Sequence, residues 1–167
     1  MNRFFFSGSS EAKLDSKNRF VLPQNLRFGL VENGSLSFSL GLGLGGCLAI
    51  YRESDIAKIV EKFRAKQHVA KYQRFFTLFF SSLHQMTCDK VGRVLLPAML
   101  KKTAGIKSEI VIAGVLGKIE IWPKEKYEEQ LGDMLKDKAE GSELEKMTEE
   151  AFALLEDRGE EFGDLFE

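Results

Sequence analysis

Two arginines each follow an aspartate by four residues, and this pattern is the strongest sign of chemistry in the chain. Asp15 precedes Arg19, Asp89 precedes Arg93, and in both copies three apolar residues and a proline follow the arginine. The planar fork of a guanidinium suits phosphate oxygens or the O6/N7 edge of guanine, so we predict that Arg19 and Arg93 bind DNA. A second interpretation, that each arginine pairs with its own aspartate and only braces a turn, stays open and is compatible with the first.

The residues inside each motif predict a tight turn in front of the arginine. Asn18 and Gly92 immediately precede the two arginines, and both residue types tolerate a positive φ. Asp15 and Asp89 carry a charge that repels phosphate, so we expect them to cap the turn or orient the arginine rather than contact DNA. These four residues are therefore predicted to structure the two turns.

Further cations surround the two motifs. We predict that they contact the phosphate backbone, which sets affinity and register but carries no sequence information. Taken singly, each is more often an ordinary surface charge. The set consists of Lys13, Lys17, Arg27, Lys90, Lys101 and Lys102.

The motif belongs to a longer internal repeat, which determines the expected architecture. Residues 5–27 and 79–101 align without gaps, and Phe-Phe-Ser begins both segments. The second part of each unit also repeats, as LAIY at 48–51 and IEIW at 119–122. We therefore predict a first unit over residues 4–70, a second over 75–135, and an acidic segment over 137–167 that is helical or partly disordered.

Each unit is predicted to contain strands, one short helix and a longer helical stretch. Proline suits the first turn of a helix, so short helices should follow Pro23 and Pro97 and end near Gly29 and Gly105. A helix starting at Ser54 or Asp55 is expected to continue into the phenylalanine-rich segment, and residues 142–155 are expected to form an amphipathic helix. The further strands are predicted at residues 35–40, 47–52, 109–113 and 118–122.

Charge is divided unevenly along the 167 residues, although the net charge is only −1. Residues 137–167 hold 12 acidic and 3 basic residues, a net of −9, which leaves 21 basic and 13 acidic residues and a net of +8 in residues 1–136. A basic body followed by an acidic segment can bind phosphate with the body alone. No apolar run reaches the roughly 18–20 residues of a membrane span, and no secretory signal begins the chain, so we predict a cytosolic protein.

Catalytic and metal-binding patterns are missing from the sequence. The two cysteines, Cys47 and Cys88, lie far apart, and His68 and His84 form no cluster with them, so we predict no metal, no cofactor, no small-molecule substrate and no enzyme activity. The glycine run at 41–46 precedes a strand instead of a helix, which favours a hairpin loop over a phosphate cradle. The aromatic segments Phe4–Phe6 and 72–80 are predicted to be core or subunit interface, with base stacking as the alternative.

The paired motifs, together with AGI at 104–106 and IEIW at 119–122, resemble the MraZ family of bacterial proteins. The resemblance covers roughly residues 4–135. It implies an α+β, β-rich fold, in which two AbrB-like units form a swapped-hairpin (double-split) barrel with flanking helices. It also implies a ring, commonly an octamer, that binds short direct repeats in double-stranded DNA upstream of the division and cell-wall gene cluster, including its own gene. Such a protein would lie in the cytoplasm on the nucleoid.

The sequence departs from the family pattern at several places. Asn18 stands where the family usually has glycine, a histidine often found before the first motif is replaced by Ala12-Lys13-Leu14, and the glycine run and acidic segment are unusual. We predict a sequence-specific DNA-binding transcriptional regulator that acts as a repressor. The alternatives are a ring-forming protein-interaction module and an antitoxin partnered with a toxin, and two units in one chain argue against the second of these.

Overall fold

A computed structural model of the chain describes residues 4–136 and 142–156 and has the predicted α+β composition. It divides into a larger unit, Met1–Lys124, and a smaller unit, Glu125–Glu167. The elements in chain order are β1 Ser9–Lys13, β2 Arg19–Val21, α1 Gln24–Gly29, β3 Val31–Glu32, β4 Ser35–Leu36, β5 Phe38–Leu42, β6 Leu48–Arg52, α2 Glu53–Arg64, α3 Gln73–Ser82, β7 His84–Met86, β8 Arg93–Leu95, α4 Ala98–Ala104, β9 Glu109–Val115, β10 Lys118–Pro123, α5 Lys124–Lys136 and α6 Glu143–Ala153.

Strands from the two repeats are interleaved in the larger unit. Six strands form one antiparallel sheet in the order β1-β9-β10-β6-β5-β7, while β2 pairs with β8 and β3 with β4. The ladders β1–β9, β6–β10, β5–β7 and β2–β8 each join a strand of the first repeat to a strand of the second. The two repeats therefore complete one another's sheets, and neither forms a separate body.

The core of this unit has two parts on opposite faces of the central strands. Along β6, Leu48 and Ile50 belong to the main cluster, while Ala49 and Tyr51 belong to a second cluster beneath α2 and α3. Because side chains alternate between the two faces of a strand, a strand covered on both faces is apolar throughout. This explains why all of β6, including Arg52, is buried.

The helix expected to run from Ser54 into the aromatic segment is in fact two helices. Neither Ser54 nor Asp55 caps it, because α2 begins at Glu53: the Ser54 hydroxyl donates to Glu32, and Asp55 accepts from Arg52 Nε at 2.7 Å. The chain turns between α2 and α3, which brings the rings of Phe63 and Phe79 to 5.3 Å between centroids. This tertiary contact replaces the continuous helix that the local periodicity predicted.

Glycine positions are partly as predicted. Gly105 ends α4 in the left-handed conformation with φ 72°, as expected, but Gly29 lies inside α1 with Leu30 as its C-cap. A Cβ at Gly29 would lie 2.6 Å from the ring of Phe6, so close packing selects glycine there. The glycine run does connect two strands, β5 and β6, although Gly41 already belongs to β5.

The smaller unit contains the rest of α5 and the helix α6. Ser142 caps α6, because its hydroxyl oxygen accepts from the backbone N–H of Glu145 at 3.2 Å. The predicted helix over 142–155 is thus present, whereas 137–141 and 157–167 lie outside the described residues. Over the described ranges, no helix combines the length and apolar character needed to cross a membrane.

Candidate nucleic-acid interface

The aspartate of the first motif organises the turn in front of Arg19. Oδ1 of Asp15 accepts from the backbone N–H groups of Lys17 and Arg19, each at 2.9 Å, and Oδ2 accepts from Arg19 Nε at 2.8 Å. The Asn18 N–H donates to the Asp15 carbonyl at 3.0 Å, and Asn18 has φ 59°. One carboxylate therefore holds both the turn and the arginine side chain.

The second motif builds the same turn from different residues. Oδ1 of Asp89 accepts from the N–H groups of Val91 and Arg93 at 3.0 and 2.9 Å, and Oδ2 accepts from Arg93 Nε at 2.6 Å. Gly92 has φ 93° at the position that Asn18 occupies in the first turn. Asparagine and glycine both accept this backbone conformation, so the departure at Asn18 leaves the turn intact.

A short antiparallel ribbon joins the two turns, which lie at its opposite ends. In the pairing of β2 with β8, Phe20 faces Val94 at the centre, and Arg19 and Arg93 lie one residue away on the two strands. Phe20 and Val94 are fully buried and fix the ribbon to the main core. Since side chains alternate, both arginines point away from that core on one outer face.

The first turn is held by residues of the second repeat. Leu96 donates its backbone N–H to the Asn18 carbonyl at 2.9 Å. Lys101 Nζ, on α4, donates to Asn18 Oδ1 at 2.8 Å. Glycine at this position has no side chain and could not accept this hydrogen bond from Lys101.

The second turn is held by residues of the first repeat in the equivalent way. Leu22 donates its backbone N–H to the Gly92 carbonyl at 2.9 Å. The guanidinium of Arg27, on α1, lies over Gly92, where a Cβ would come within 2.6 Å of Cζ. Arg27 and Lys101 thus occupy equivalent positions in the two repeats, and each packs against the turn of the other repeat, Lys101 with a hydrogen bond and Arg27 by close contact.

The ion pairs leave most of each guanidinium available. The contact with aspartate uses Nε of Arg19 and Arg93. Among the described residues, the terminal nitrogens of these two side chains have no hydrogen-bond partner. The side chains of Arg19 and Arg93 are 27% and 38% exposed. Bracing through Nε therefore orients a free Nη1/Nη2 fork, which matches the geometry of guanine O6/N7 or of phosphate.

Most of the predicted phosphate-contacting cations lie around this ribbon. Lys17 and Lys90 are exposed inside the turns, Lys102 is exposed on α4, and Arg27 and Lys101 are half-buried against the turns. Lys13 differs, because it pairs on β1 with the acidic residue Glu109 of β9.

Sequence reasoning missed three exposed residues near the turns. Lys107 precedes Ser108, whose carbonyl accepts from the Leu14 N–H at 2.7 Å directly before the first motif. Val21 and Leu95 share the outer face of the ribbon with the arginines. Each aliphatic residue lies two positions after an arginine, so the alternation of side chains along a strand could have identified both. No local signal in the sequence places Lys107 near the turns.

The hydrogen bonds within each turn also affect its acid stability. The backbone hydrogen bond from Arg19 is the main cause that lowers the pKa of Asp15 below its ordinary value of 3.8, and the hydrogen bond from the Arg19 side chain lowers it further. Arg93 lowers the pKa of Asp89 in the same way. A lowered folded-state pKa means that the charged carboxylate stabilises the fold above pH 3.8. That stabilisation is lost as pH falls through the lowered pKa.

Replacing both turn aspartates, in the variant Asp15→Asn with Asp89→Asn, should flatten the acid dependence of stability. We expect the melting temperature of the variant to be lower than that of the wild type at neutral pH, and the difference to shrink below pH 3.8. Thermal melts between neutral pH and about pH 2 measure this. Glu61→Gln, at an exposed carboxylate on α2, is the control. A constant difference across this range would contradict the assignment.

In the described part of the chain, the one fully buried cysteine is unreactive and no cluster of side chains is placed to hold a metal ion. Burial raises the pKa of Cys47 to about 12, so its thiol is a poor nucleophile. Residues 4–136 and 142–156 contain no group of three or more histidine, cysteine, aspartate or glutamate side chains placed to hold a metal ion.

The repeat, the α+β fold and the shared ribbon define a class of protein, in which two homologous units of one chain present paired arginine turns. A family model described as "MraZ protein, putative antitoxin-like" matches residues 5–78 and again 79–149. The chain belongs to the MraZ family. The resemblance predicted from the paired motifs is therefore confirmed.

Curated relatives carry the same family name. The chain is 39% identical over 125 residues to the Transcriptional regulator MraZ of Clostridium beijerinckii, covering 74% of this chain and 85% of the relative. The protein of the same name from Clostridium tetani is 40% identical over 125 residues, with the same shares covered. That from Symbiobacterium thermophilum is 34% identical over 137 residues, covering 80% of this chain and 96% of the relative. The family is one of transcriptional regulators, not of enzymes.

Proposed function

We propose that this protein is a sequence-specific DNA-binding regulator, in which the β2–β8 ribbon enters the major groove and Arg19 and Arg93 contact guanines. The pair of oriented guanidinium forks on one ribbon face carries this proposal. The major groove is wide enough for a two-stranded ribbon, and bidentate contact between arginine and guanine is the commonest specific interaction there. Phosphate contacts come from the surrounding cations Lys17, Arg27, Lys90, Lys101 and Lys102, with Lys13 at the edge.

The regulated genes are proposed from family membership. The protein represses the division and cell-wall gene cluster, including its own promoter, by binding short tandem repeats as a ring, most simply an octamer, on the nucleoid in the cytoplasm. Two turns per subunit and several subunits per ring allow weak single contacts to add through avidity. The four ladders that join the two repeats support the swapped-hairpin barrel as the arrangement of each subunit.

Selection from a random DNA pool, followed by a salt titration, tests the function. We expect enrichment of duplexes with a short repeated motif. The logarithm of their binding constant should fall linearly with the logarithm of salt concentration, by a slope of about 0.9 for each phosphate contacted. A pool without enrichment, together with binding to other proteins, would instead favour the ring-forming interaction module.

The acidic segment should act as an internal competitor for the cations around the turns. Ending the chain after Lys136 removes a net charge of −9 next to a body of net +8. At low salt we expect the truncated protein to bind the selected duplex more tightly than the full chain does. The difference should shrink as salt approaches 0.15 M, where the Debye length is about 8 Å. Binding measured at two salt concentrations checks this.

A variant that removes charge but keeps the length of the chain separates electrostatics from structure. Changing Glu143, Glu145, Glu149 and Glu150 to glutamine keeps the length of the chain and the helix α6 but removes four charges. This variant should reproduce part of the gain at low salt. If truncation instead lowers the melting temperature or alters the oligomer while affinities stay equal at low salt, the segment serves stability or ring closure.

A further inference from the structure

Two exposed aliphatic side chains on the β2–β8 ribbon have no role in the function proposed above. Val21 is 47% exposed and Leu95 is 57% exposed, whereas the adjacent residues Phe20 and Val94 are buried. The exposed pair therefore does not belong to the core. Because Val21 and Leu95 lie on the face that carries the two arginines, they indicate that the ligand of this face has apolar groups.

The register of the ribbon places each aliphatic residue directly across from an arginine. Arg19 pairs with Leu95, and Val21 pairs with Arg93. Directly opposite residues of an antiparallel pair have Cβ atoms about 4.5–5.5 Å apart. The outer face is consequently a small alternating array of two guanidinium groups and two aliphatic groups, with the same arrangement in both repeats.

We propose that Val21 and Leu95 contact the 5-methyl groups of thymines and so determine part of the DNA sequence preference. This inference rests on the proposed entry of the ribbon into the major groove. The thymine methyl is the apolar group that the base pairs present in that groove, where the other positions offer hydrogen-bond donors and acceptors. An aliphatic side chain pressed against those positions would leave a polar group dehydrated without a partner, which is unfavourable.

The spacing on the ribbon also limits where the thymines lie. Bases along one strand are about 3.4 Å apart, so side chains about 5 Å apart contact bases separated by one or two steps. A thymine whose methyl matters should therefore lie within about two base pairs of a guanine that matters. This relation holds for both halves of the ribbon, because both contain the same pair of residue types.

Deoxyuridine provides the sharpest test, because it differs from thymidine only by the methyl group. The probe is the tightest-binding duplex selected from the random pool, with each thymine replaced singly by deoxyuridine. We expect the wild-type protein to lose about fourfold in affinity at each contacted position, as burial of one methyl group predicts. Val21→Ala should abolish the loss at one set of positions, and Leu95→Ala at another.

A matched control comes from a valine of similar exposure outside the ribbon. Val31, on β3, is 45% exposed, and Val31→Ala should keep the full difference between thymidine and deoxyuridine. Circular dichroism and light scattering on every variant establish that the fold and the oligomer are unchanged.

The possible failures are distinguishable. Equal affinity for thymidine and deoxyuridine at all positions, with tight wild-type binding, overturns the inference and leaves the proposed function standing. A deoxyuridine effect that survives in both alanine variants overturns it in the same way. A changed oligomer mass in these variants with an unchanged deoxyuridine effect assigns the two side chains to a subunit contact and also overturns it. A pool that yields no enriched duplex overturns the proposed function and this inference together.

Discussion

Replacing Arg19 or Arg93 by alanine is expected to weaken binding to the selected duplex by about 5- to 150-fold for each residue, the range that corresponds to loss of one bidentate base contact. The fold should survive, because each arginine lies at the surface and its ion pair with aspartate contributes little to stability. The backbone hydrogen bonds to Asp15 and Asp89 remain in both variants. Affinity measured on folded protein, with melting temperature as the check, tests this.

Two further variants separate base contact from charge. Arg19→Lys keeps the positive charge but loses the planar fork, so it should lose base preference while keeping most of the salt dependence. Arg64→Ala is the matched control, because Arg64 also bonds a nearby carboxylate, Glu61, through Nε at 3.3 Å but lies on α2. If the alanine variants of Arg19 and Arg93 bind like the wild type while folded, the two arginines only brace their turns.

The second large effect concerns assembly. We expect the protein to scatter as a closed oligomer of several times the monomer mass of 18.9 kDa, with eight copies the number that the family resemblance implies. Helix α3 motivates this, because Tyr72, Phe75, Leu78 and Phe80 remain exposed at its start and along its surface, and water disfavours so large an apolar area. A second copy of the chain packed against α3 would bury this apolar area. Light scattering at micromolar concentration measures the mass.

Leu78→Glu should dissociate the oligomer, because it places a charge in the apolar surface of α3. Binding to tandem repeats should then fall by about 10²- to 10⁴-fold through lost avidity, while binding to a single repeat changes little. Ser81→Glu adds the same charge at an exposed polar position on the same helix and is the control. A wild-type protein that is monodisperse and monomeric would contradict the ring and the avidity argument with it.

Local features of the fold were predictable from the sequence because they depend on neighbouring residues. The positive φ at Asn18 and Gly92 follows from residue type, and the helices after the two prolines follow from proline's fixed backbone geometry. The strands of each repeat follow from alternation and apolar content. The repeat itself, seen as paired motifs 74 residues apart, indicated the family and singled out the two arginines as candidates.

The break between α2 and α3 shows where local reasoning fails. The sequence from Ser54 onwards has helical periodicity without a proline or glycine to stop it. The chain nevertheless turns after Arg64, and the contact of Phe63 with Phe79 forms across that turn. Burial of aromatic area outweighs the small loss of helical hydrogen bonding, and periodicity within one segment carries no information about such a contact.

The candidate interface depended most on tertiary structure. Sequence alone identified Arg19 and Arg93 and left open whether they brace a turn or bind a ligand. Only the folded chain shows that aspartate binds Nε while the terminal nitrogens meet no partner among residues 4–136 and 142–156. It also shows that each repeat supports the turn of the other, and that Val21 and Leu95 share the arginine face. The last two relations join residues more than 60 positions apart, and they arise from strand pairing and shared burial, which composition and spacing along the chain do not encode.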